Sequence, residues 1–240
     1  MKAFILAAGL GTRLKPWTLE HPKALVPVGG VPMLERVILR LKEEGFNRLV
    51  VNVHHFADQI VDFLASRDFG VDIAISDETA QLLDTGGALV HAAPLLCADR
   101  EPFLIHNVDI LSDAPLRALM AEHTASGADA TLLVSERQSS RHLLFDDRMY
   151  LRGWQNMTTG ERKGEPGEWP ISLAFSGIHV MSPALVERMI AEGYTGKFPI
   201  MDYYLSHTGS ADLRGFKVQP LNLIDIGKPE TLSRANSLFD

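Results

Sequence analysis

Four charged side chains carry the chemistry this sequence could perform: Arg13 and Lys23 near its start, with the basic Lys15 close to Arg13, and Asp109 and Asp225 much further along. The cations follow Ala3-Phe4-Ile5-Leu6-Ala7-Ala8, an apolar run of the length expected for a central parallel strand covered on both faces. Gly9 and Gly11 end that run; lacking a Cβ, they let peptide N–H groups come close to a polyphosphate. Each acid in turn follows an apolar stretch, Phe103-Leu104-Ile105-His106-Asn107 before Asp109 and Leu221-Asn222-Leu223-Ile224 before Asp225. In open α/β sheets ligands gather where such strands end, so both acids read as ligands for a divalent cation.

Glycines of this kind open many α/β domains, and their neighbours narrow the choice. A dinucleotide-binding turn would need a third glycine where Leu14 stands, and a Walker loop would need Gly-Lys followed by Ser or Thr. What the chain has is Leu6-Ala7-Ala8-Gly9-Leu10-Gly11-Thr12-Arg13-Leu14 with Pro16, then Pro22-Lys23-Ala24-Leu25-Val26-Pro27. This pair of motifs resembles the signature of the sugar-1-phosphate nucleotidylyltransferases. Later segments extend the resemblance over nearly the whole chain: Thr85-Gly86-Gly87, Asn107-Val108-Asp109, Phe175-Ser176-Gly177 and Asp225-Ile226-Gly227. Val108 departs from it, since a branched side chain replaces a glycine beside the ribose. The lack of a C-terminal extension is most similar to the compact bacterial members, among them the N-acetylmuramate-1-phosphate uridylyltransferases.

The resemblance implies a Mg²⁺-dependent reaction in which an NTP and a sugar 1-phosphate give an NDP-sugar and pyrophosphate. It implies catalytic roles for Arg13 and Lys23, and nucleotide contacts from Leu6, Ala8, Gly9, Gly11, Thr12, Arg13, Thr85, Gly86, Gly87 and Asn107. Asn156, Gly177 and Asp109 fall in the acceptor-sugar region, with Trp154 a further candidate, and Asp109 and Asp225 would hold the Mg²⁺. Asp84 or Thr85 could cap a helix whose first N–H groups the two glycines leave open to a ligand. The base is expected against Leu6-Ala7-Ala8 and Gly87, read by backbone groups in a tight slot with few polar side chains, which favours UTP. Without a cation the two aspartates should repel, so replacing either should not lower the melting temperature of the metal-free protein. Two other classes stay open: a dinucleotide-dependent oxidoreductase, and a non-catalytic nucleotide-sugar sensor.

At 240 residues, 46% of them hydrophobic, the chain suits one large domain with its own core. A net charge of −7 offers no basic face for nucleic acid. A single cysteine, Cys97, excludes an internal disulfide and a cysteine-rich zinc site, and it reads as packed and inert. The histidines lack the spacing of a helical zinc site. No apolar run has the length of a membrane span or the form of a leader, so a cytoplasmic protein without a membrane partner is expected, as a monomer or small homo-oligomer.

Helical stripes at Pro32 to Glu44 and Ala57 to Ser66 alternate with strands at Arg48 to Val53 and Val71 to Ile75. That order predicts an α/β fold: a doubly wound, mostly parallel sheet with helices on both faces, Rossmann-like, as in GT-A-like nucleotidyltransferases. After Ser135 the pattern gives way to a hairpin around Asp146-Asp147, a long polar stretch from Asn156 to Pro170 and a strand at Leu173 to Met181, in which Gly177 marks a bulge or a close ligand approach. The expected organisation is a single domain, 1–240, in which 1–134 serves mainly the nucleotide and a small β-rich elaboration within 135–240 mainly the acceptor sugar.

Overall fold

A computed structural model describes residues 1–237. The chain begins with β1 (Lys2–Leu6), passes three 3₁₀ turns (Thr12–Leu14, Trp17–Leu19, Lys23–Leu25), and continues through β2 (Pro27–Val28), β3 (Val31–Pro32), α1 (Met33–Glu43), β4 (Arg48–Val53), α2 (Ala57–Ala65) and β5 (Asp72–Asp77). Next come α3 (Asp84–His91), α4 (Ala93–Leu96), β6 (Phe103–Asn107), β7 (Ile110–Ser112), α5 (Leu116–Ser126) and β8 (Ala130–Ser135). The remainder is β9 (Arg141–Phe145), β10 (Leu151–Asn156), β11 (Arg162–Gly164), β12 (Ile171–Met181), α6 (Pro183–Ala191), α7 (Ile200–Ser206), β13 (Leu213–Lys217), β14 (Leu223–Asp225) and α8 (Pro229–Asn236).

β1 pairs in parallel with β4 on one side and β6 on the other, and β4 pairs with β5. Beyond β6 the antiparallel β12 intervenes, followed by β8 and then β13, which is parallel to β8. The chain thus winds outward from β1 through α1 and α2, returns through α3 and α4, and re-enters the sheet at β6. The strand order reverses between β1 and β6, and a crevice opens at such a point beyond the carboxyl ends of the strands.

Alternation along the strands explains why both faces are covered. In β1, Ala3 and Ile5 face one core together with Val37, Ile38 and Leu41 of α1, while Phe4 faces a second core with Leu89 of α3 and Tyr204 of α7. β6 divides in the same way, with Leu104 on the first side and Phe103 and Ile105 on the second. Central strands apolar on both faces are what a parallel sheet between two helix layers demands. Helix α1 stops before Gly45, whose φ of +85° is the left-handed turn that a following glycine supplies.

The elaboration after Ser135 is a larger β unit than the sequence suggests. β9, β10 and β11 form an antiparallel run attached to the first residues of β12, and β11 lies within the stretch expected to be a long polar loop. Its three residues are exposed and charged or glycine, so backbone pairing with β10, rather than an apolar pattern, makes the strand. Cys97 is half-buried, and burial pushes its thiol up to about 11, in keeping with an inert packed side chain. Among the described residues no helix is long and apolar enough to cross a membrane.

Three buried histidines, His106, His123 and His179, make the fold acid-sensitive, burial lowering His106 to about 4. Burial lowers His123, held by Thr131 and Ser182, to about 4, and lowers His179 to about 3. Below the ordinary value of 6.5 the unfolded chain therefore binds protons that the folded chain refuses, and stability falls as pH falls. Each histidine should contribute a slope of about 1.4 kcal/mol per pH unit below that value. Thermal melts from about pH 7 to about pH 4.5 should show a falling midpoint, and His179→Phe should flatten the slope; an unchanged slope would mean that His179 is charged in the folded protein.

Candidate active site

The crevice between β1 and β6 is a cleft of about 280 Å³, lined in part by Leu6, Ala8, Gly9, Lys23, Thr85, Asn107 and Asp109. The strand ends account for this convergence, because Leu6 is paired with Asn107 and the Val108 N–H continues the ladder to the Leu6 carbonyl. Beyond Gly9 the loop carries Gly11, Thr12 and Arg13 past the rim of the cleft. Gly11 sits at φ +62°, where a Cβ would lie 2.8 Å from Lys23 Cβ and 2.9 Å from Thr18 Cγ2. Only glycine lets the first motif fold against the second at this point. Among the described residues the N–H groups of Gly9, Leu10 and Gly11 have no internal acceptor, which leaves a short run of donors for an anion.

The charged side chains meet around Gly227. A Cβ placed there would lie 2.8 Å from Arg13 Nη2, 2.8 Å from Asp225 Oδ1 and 3.4 Å from Lys23 Nζ. Lys23 Nζ in turn forms an ion pair with Asp109 Oδ2, both side chains being largely buried. Asp109 and Asp225 are joined by backbone, since the Ile226 N–H donates to the Asp109 carbonyl at 3.0 Å. Arg13, Lys23, Asp109 and Asp225 are thus brought together, by a route other than the expected one. Asp225 ends no strand of the parallel sheet; β14 pairs antiparallel with β7 in a separate two-stranded ribbon, opposite the residue that follows Asp109.

The ion pair also corrects the expected repulsion. Lys23 already balances Asp109, so Asp109→Asn strands a largely buried cation and should lower rather than spare the melting temperature. Asp225 has a different partner, its Oδ1 accepting the Gly227 N–H at 2.7 Å.

Two expected nucleotide contacts are placed elsewhere. The Gly86 and Gly87 N–H groups both donate to the Phe198 carbonyl, at 2.9 and 3.2 Å, so the first turn of α3 is not open to a ligand. Both glycines are buried, and a Cβ at either would strike Phe198 or the Gly196 carbonyl; they are small so that the chain before α7 can pack on α3. Neither Asp84 nor Thr85 caps the helix, because Leu83 holds that position. Thr85 keeps its place on the cleft, and its Oγ1 accepts the Ile200 N–H at 2.9 Å.

The sugar-region candidates divide as well. Gly177, at φ +76°, lies in a register break of β12, and a Cβ there would be 2.7 Å from Asn107 Nδ2. The bulge reading holds, and the close approach is made by the Asn107 side chain, which rests on Gly177. Asn156 organises a turn, its Oδ1 accepting the Thr158 and Thr159 N–H groups, and faces a separate outer depression with Arg141 and Lys163. Trp154 lies between that depression and a second inner cavity. Val108 is 4% exposed and packs in the core, yet it also lines the cleft between Asn107 and Asp109.

Sequence reasoning missed Asn52 and Glu78. Asn52 Oδ1 accepts the Ala7 N–H at 2.6 Å and the Ala8 N–H at 3.2 Å, and its Nδ2 donates to Glu78 Oε1 at 2.8 Å. The slot expected to be read by backbone groups is therefore bounded by Asn52, which has already claimed those two amides, and by Glu78, which holds the Asn52 side chain. The signal was present: an asparagine inside Leu49-Val50-Val51-Asn52-Val53 must find partners once buried.

Residues 2–144 match the family described as nucleotidyl transferase. The chain belongs to that family. It is 30% identical over 236 residues to the N-acetylmuramate alpha-1-phosphate uridylyltransferase of Caulobacter vibrioides, covering 95% of this chain and 92% of the relative. It is 31% identical over 248 residues to the mannose-1-phosphate guanyltransferase of Schizosaccharomyces pombe, covering all of this chain but 64% of the relative, and it spans 62% of the Drosophila melanogaster guanylyltransferase beta subunit. Its fold is shared with HddC from Yersinia pseudotuberculosis, at a TM-score of 0.80 and 24% identity over 100% of this chain and 99% of that one.

Burial raises the Glu78 carboxyl above its ordinary range, against the opposing hydrogen bonds from Asn52 and Leu83. An acid raised on folding stabilises the fold at low pH and loses that contribution as pH rises through its folded value. Glu78→Gln should therefore melt higher than the parent near about pH 8, with the gap closing on acidification. A gap that does not change with pH would place Glu78 in solvent.

Proposed function

We propose that the chain is a sugar-1-phosphate nucleotidylyltransferase that joins an NTP to a sugar 1-phosphate and releases pyrophosphate. The observation that carries this reading is the convergence of Arg13, Lys23, Asp109 and Asp225 around Gly227, next to the unpaired loop amides. The acceptor phosphate is ionised at neutral pH, so one of its oxygens attacks the α-phosphorus without a general base. The bond from the α-phosphorus to the bridging oxygen breaks in line, and pyrophosphate carries away the electron pair. The protein must then align two anions and neutralise the charge that develops.

In this reading Arg13 and the loop amides hold the leaving phosphates, and Lys23, released from Asp109 when substrate arrives, holds the α-phosphate or the acceptor phosphate. Two carboxylates with hard oxygen atoms fit Mg²⁺, whose remaining sites phosphate and water would fill. Mg²⁺ bound there by Asp109 and Asp225 would act as a Lewis acid on the α-phosphate. Among the described residues no group of three or more His, Cys, Asp or Glu side chains could hold a metal, so the cation would need the nucleotide to complete its shell. Residues 1–134 would mainly serve the nucleotide and 135–240 the acceptor. UTP is the favoured NTP, on the likeness to the Caulobacter enzyme along almost the full length of both chains.

Pyrophosphate release with Mg²⁺, over a panel of NTPs and sugar 1-phosphates, tests the reading; no release with any pair overturns it. Arg13→Ala should lower turnover roughly a hundredfold, the scale of one preorganised donor, with little change in melting temperature because the side chain is exposed. Asp225→Asn should abolish turnover and the extra thermal stabilisation given by Mg²⁺ with NTP. Normal Mg²⁺-dependent activity in that variant would remove Asp225 from the metal site.

A further inference from the structure

Beside the nucleotide cleft, and sharing Leu6, Thr85 and Asn107 with it, lies a second cavity of about 290 Å³. Its far wall holds Arg137, Arg141, Trp154, Phe175 and His179. The sheet fixes the spacing. β8, which delivers Arg137 just past its end, is separated from β6 by β12 alone, and with strands about 4.8 Å apart the ends of β8 and β6 lie about 10 Å apart across the sheet. That is the span of a sugar phosphate laid over the Gly177 bulge.

Arg137 is held in place but, among the described residues, forms no ion pair. Its Nη2 donates to the Phe175 carbonyl at 2.7 Å, whereas its Nε is buried without a partner. Among the described residues neither Arg137 nor Arg141 forms an ion pair, although Arg152 and Arg214 in the neighbouring strands each meet an aspartate. Burial lowers the Arg137 pKa, and Asp225 is the acid that partly offsets this. His179 is 2% exposed, and both its ring nitrogens are unpartnered where it lines the same cavity. A partly buried guanidinium with an orphaned N–H is costly unless a ligand completes it, and the partner that suits its planar fork is an oxyanion.

We infer that Arg137, assisted by Arg141, is a specificity-determining residue that binds an oxyanion of the acceptor, with Trp154 beside the sugar ring. The inference rests on the reading that this cleft takes a sugar 1-phosphate. The oxyanion is either the acceptor's phosphate or a carboxylate on the sugar, and one experiment separates the two sources. Calorimetric binding of glucose 1-phosphate, glucuronate and glucuronate 1-phosphate is measured on the parent, Arg137→Met, Arg137→Lys and Arg141→Met, with a thermal melt of each.

Arg137→Met should weaken at least one probe tenfold or more, and Arg137→Lys should recover part of the loss. Loss on glucose 1-phosphate assigns the clamp to the phosphate, and loss confined to the two glucuronates assigns it to a carboxylate. With the preferred acceptor, Arg137→Met should raise its KM while leaving the KM for NTP unchanged. Binding of all three probes within twofold of the parent in folded variants overturns the inference, as does a parent that binds none of them. If Arg137→Met does not fold, Arg137→Lys and the exposed Arg141→Met decide by the same criterion. Because the readout is binding, the inference can fail while pyrophosphate release succeeds, and can hold where release fails.

Discussion

The parallel pairing of β1 with both β4 and β6 is the constraint from which the site follows. It places the end of β1 at the point where the winding of the sheet reverses, and the loop after Leu6 opens there over a cleft. The same pairing sets Asn107 beside Leu6 and passes the chain on to Asp109. It also sets β4 so that Asn52 can reach the Ala7 and Ala8 amides. Without that reach, two buried N–H groups at the mouth of the cleft would be unsatisfied at a cost of about 1–3 kcal/mol each.

Charge is the second organising element. Lys23 and Asp109 form a pair that is mostly withdrawn from water, and Arg13 and Asp225 lie beside it around Gly227. A cluster with equal numbers of cations and acids is tolerable when empty and can rearrange when a polyanion enters, because each cation has an alternative anion and each acid an alternative cation. Such a cluster is suited to electrostatic catalysis, in which preorganised charges face the place where charge develops.

The later part of the chain serves the same cleft through backbone packing. Gly86 and Gly87 are small so that the residues before α7 can rest on α3, and Thr85 ties the two together through the Ile200 N–H. The wall shared by the nucleotide cleft and its neighbouring cavity therefore depends on contacts between segments more than 100 residues apart, such as Thr85 and Ile200, which are separated by 115.

The sequence by itself determined the elements and the charged inventory: the apolar run before Gly9, the stripe of α1 and the strands that end near Asp109 and Asp225 are local patterns of burial, legible because period and composition are local properties. Arg13, Lys23, Asp109 and Asp225 could be named for the same reason, since few other residues combine such charge with such positions. Only the tertiary structure decided who meets whom. The β7–β14 ribbon rather than the main sheet brings Asp225 to Asp109, Phe198 takes the N–H groups that Gly86 and Gly87 had offered, Asn52 enters the cleft from a strand that read as plain core, and Glu78 enters it from just past the end of β5. Each of these depends on pairing between distant segments, and a side chain's partner across the fold leaves no trace in its own neighbourhood of the sequence.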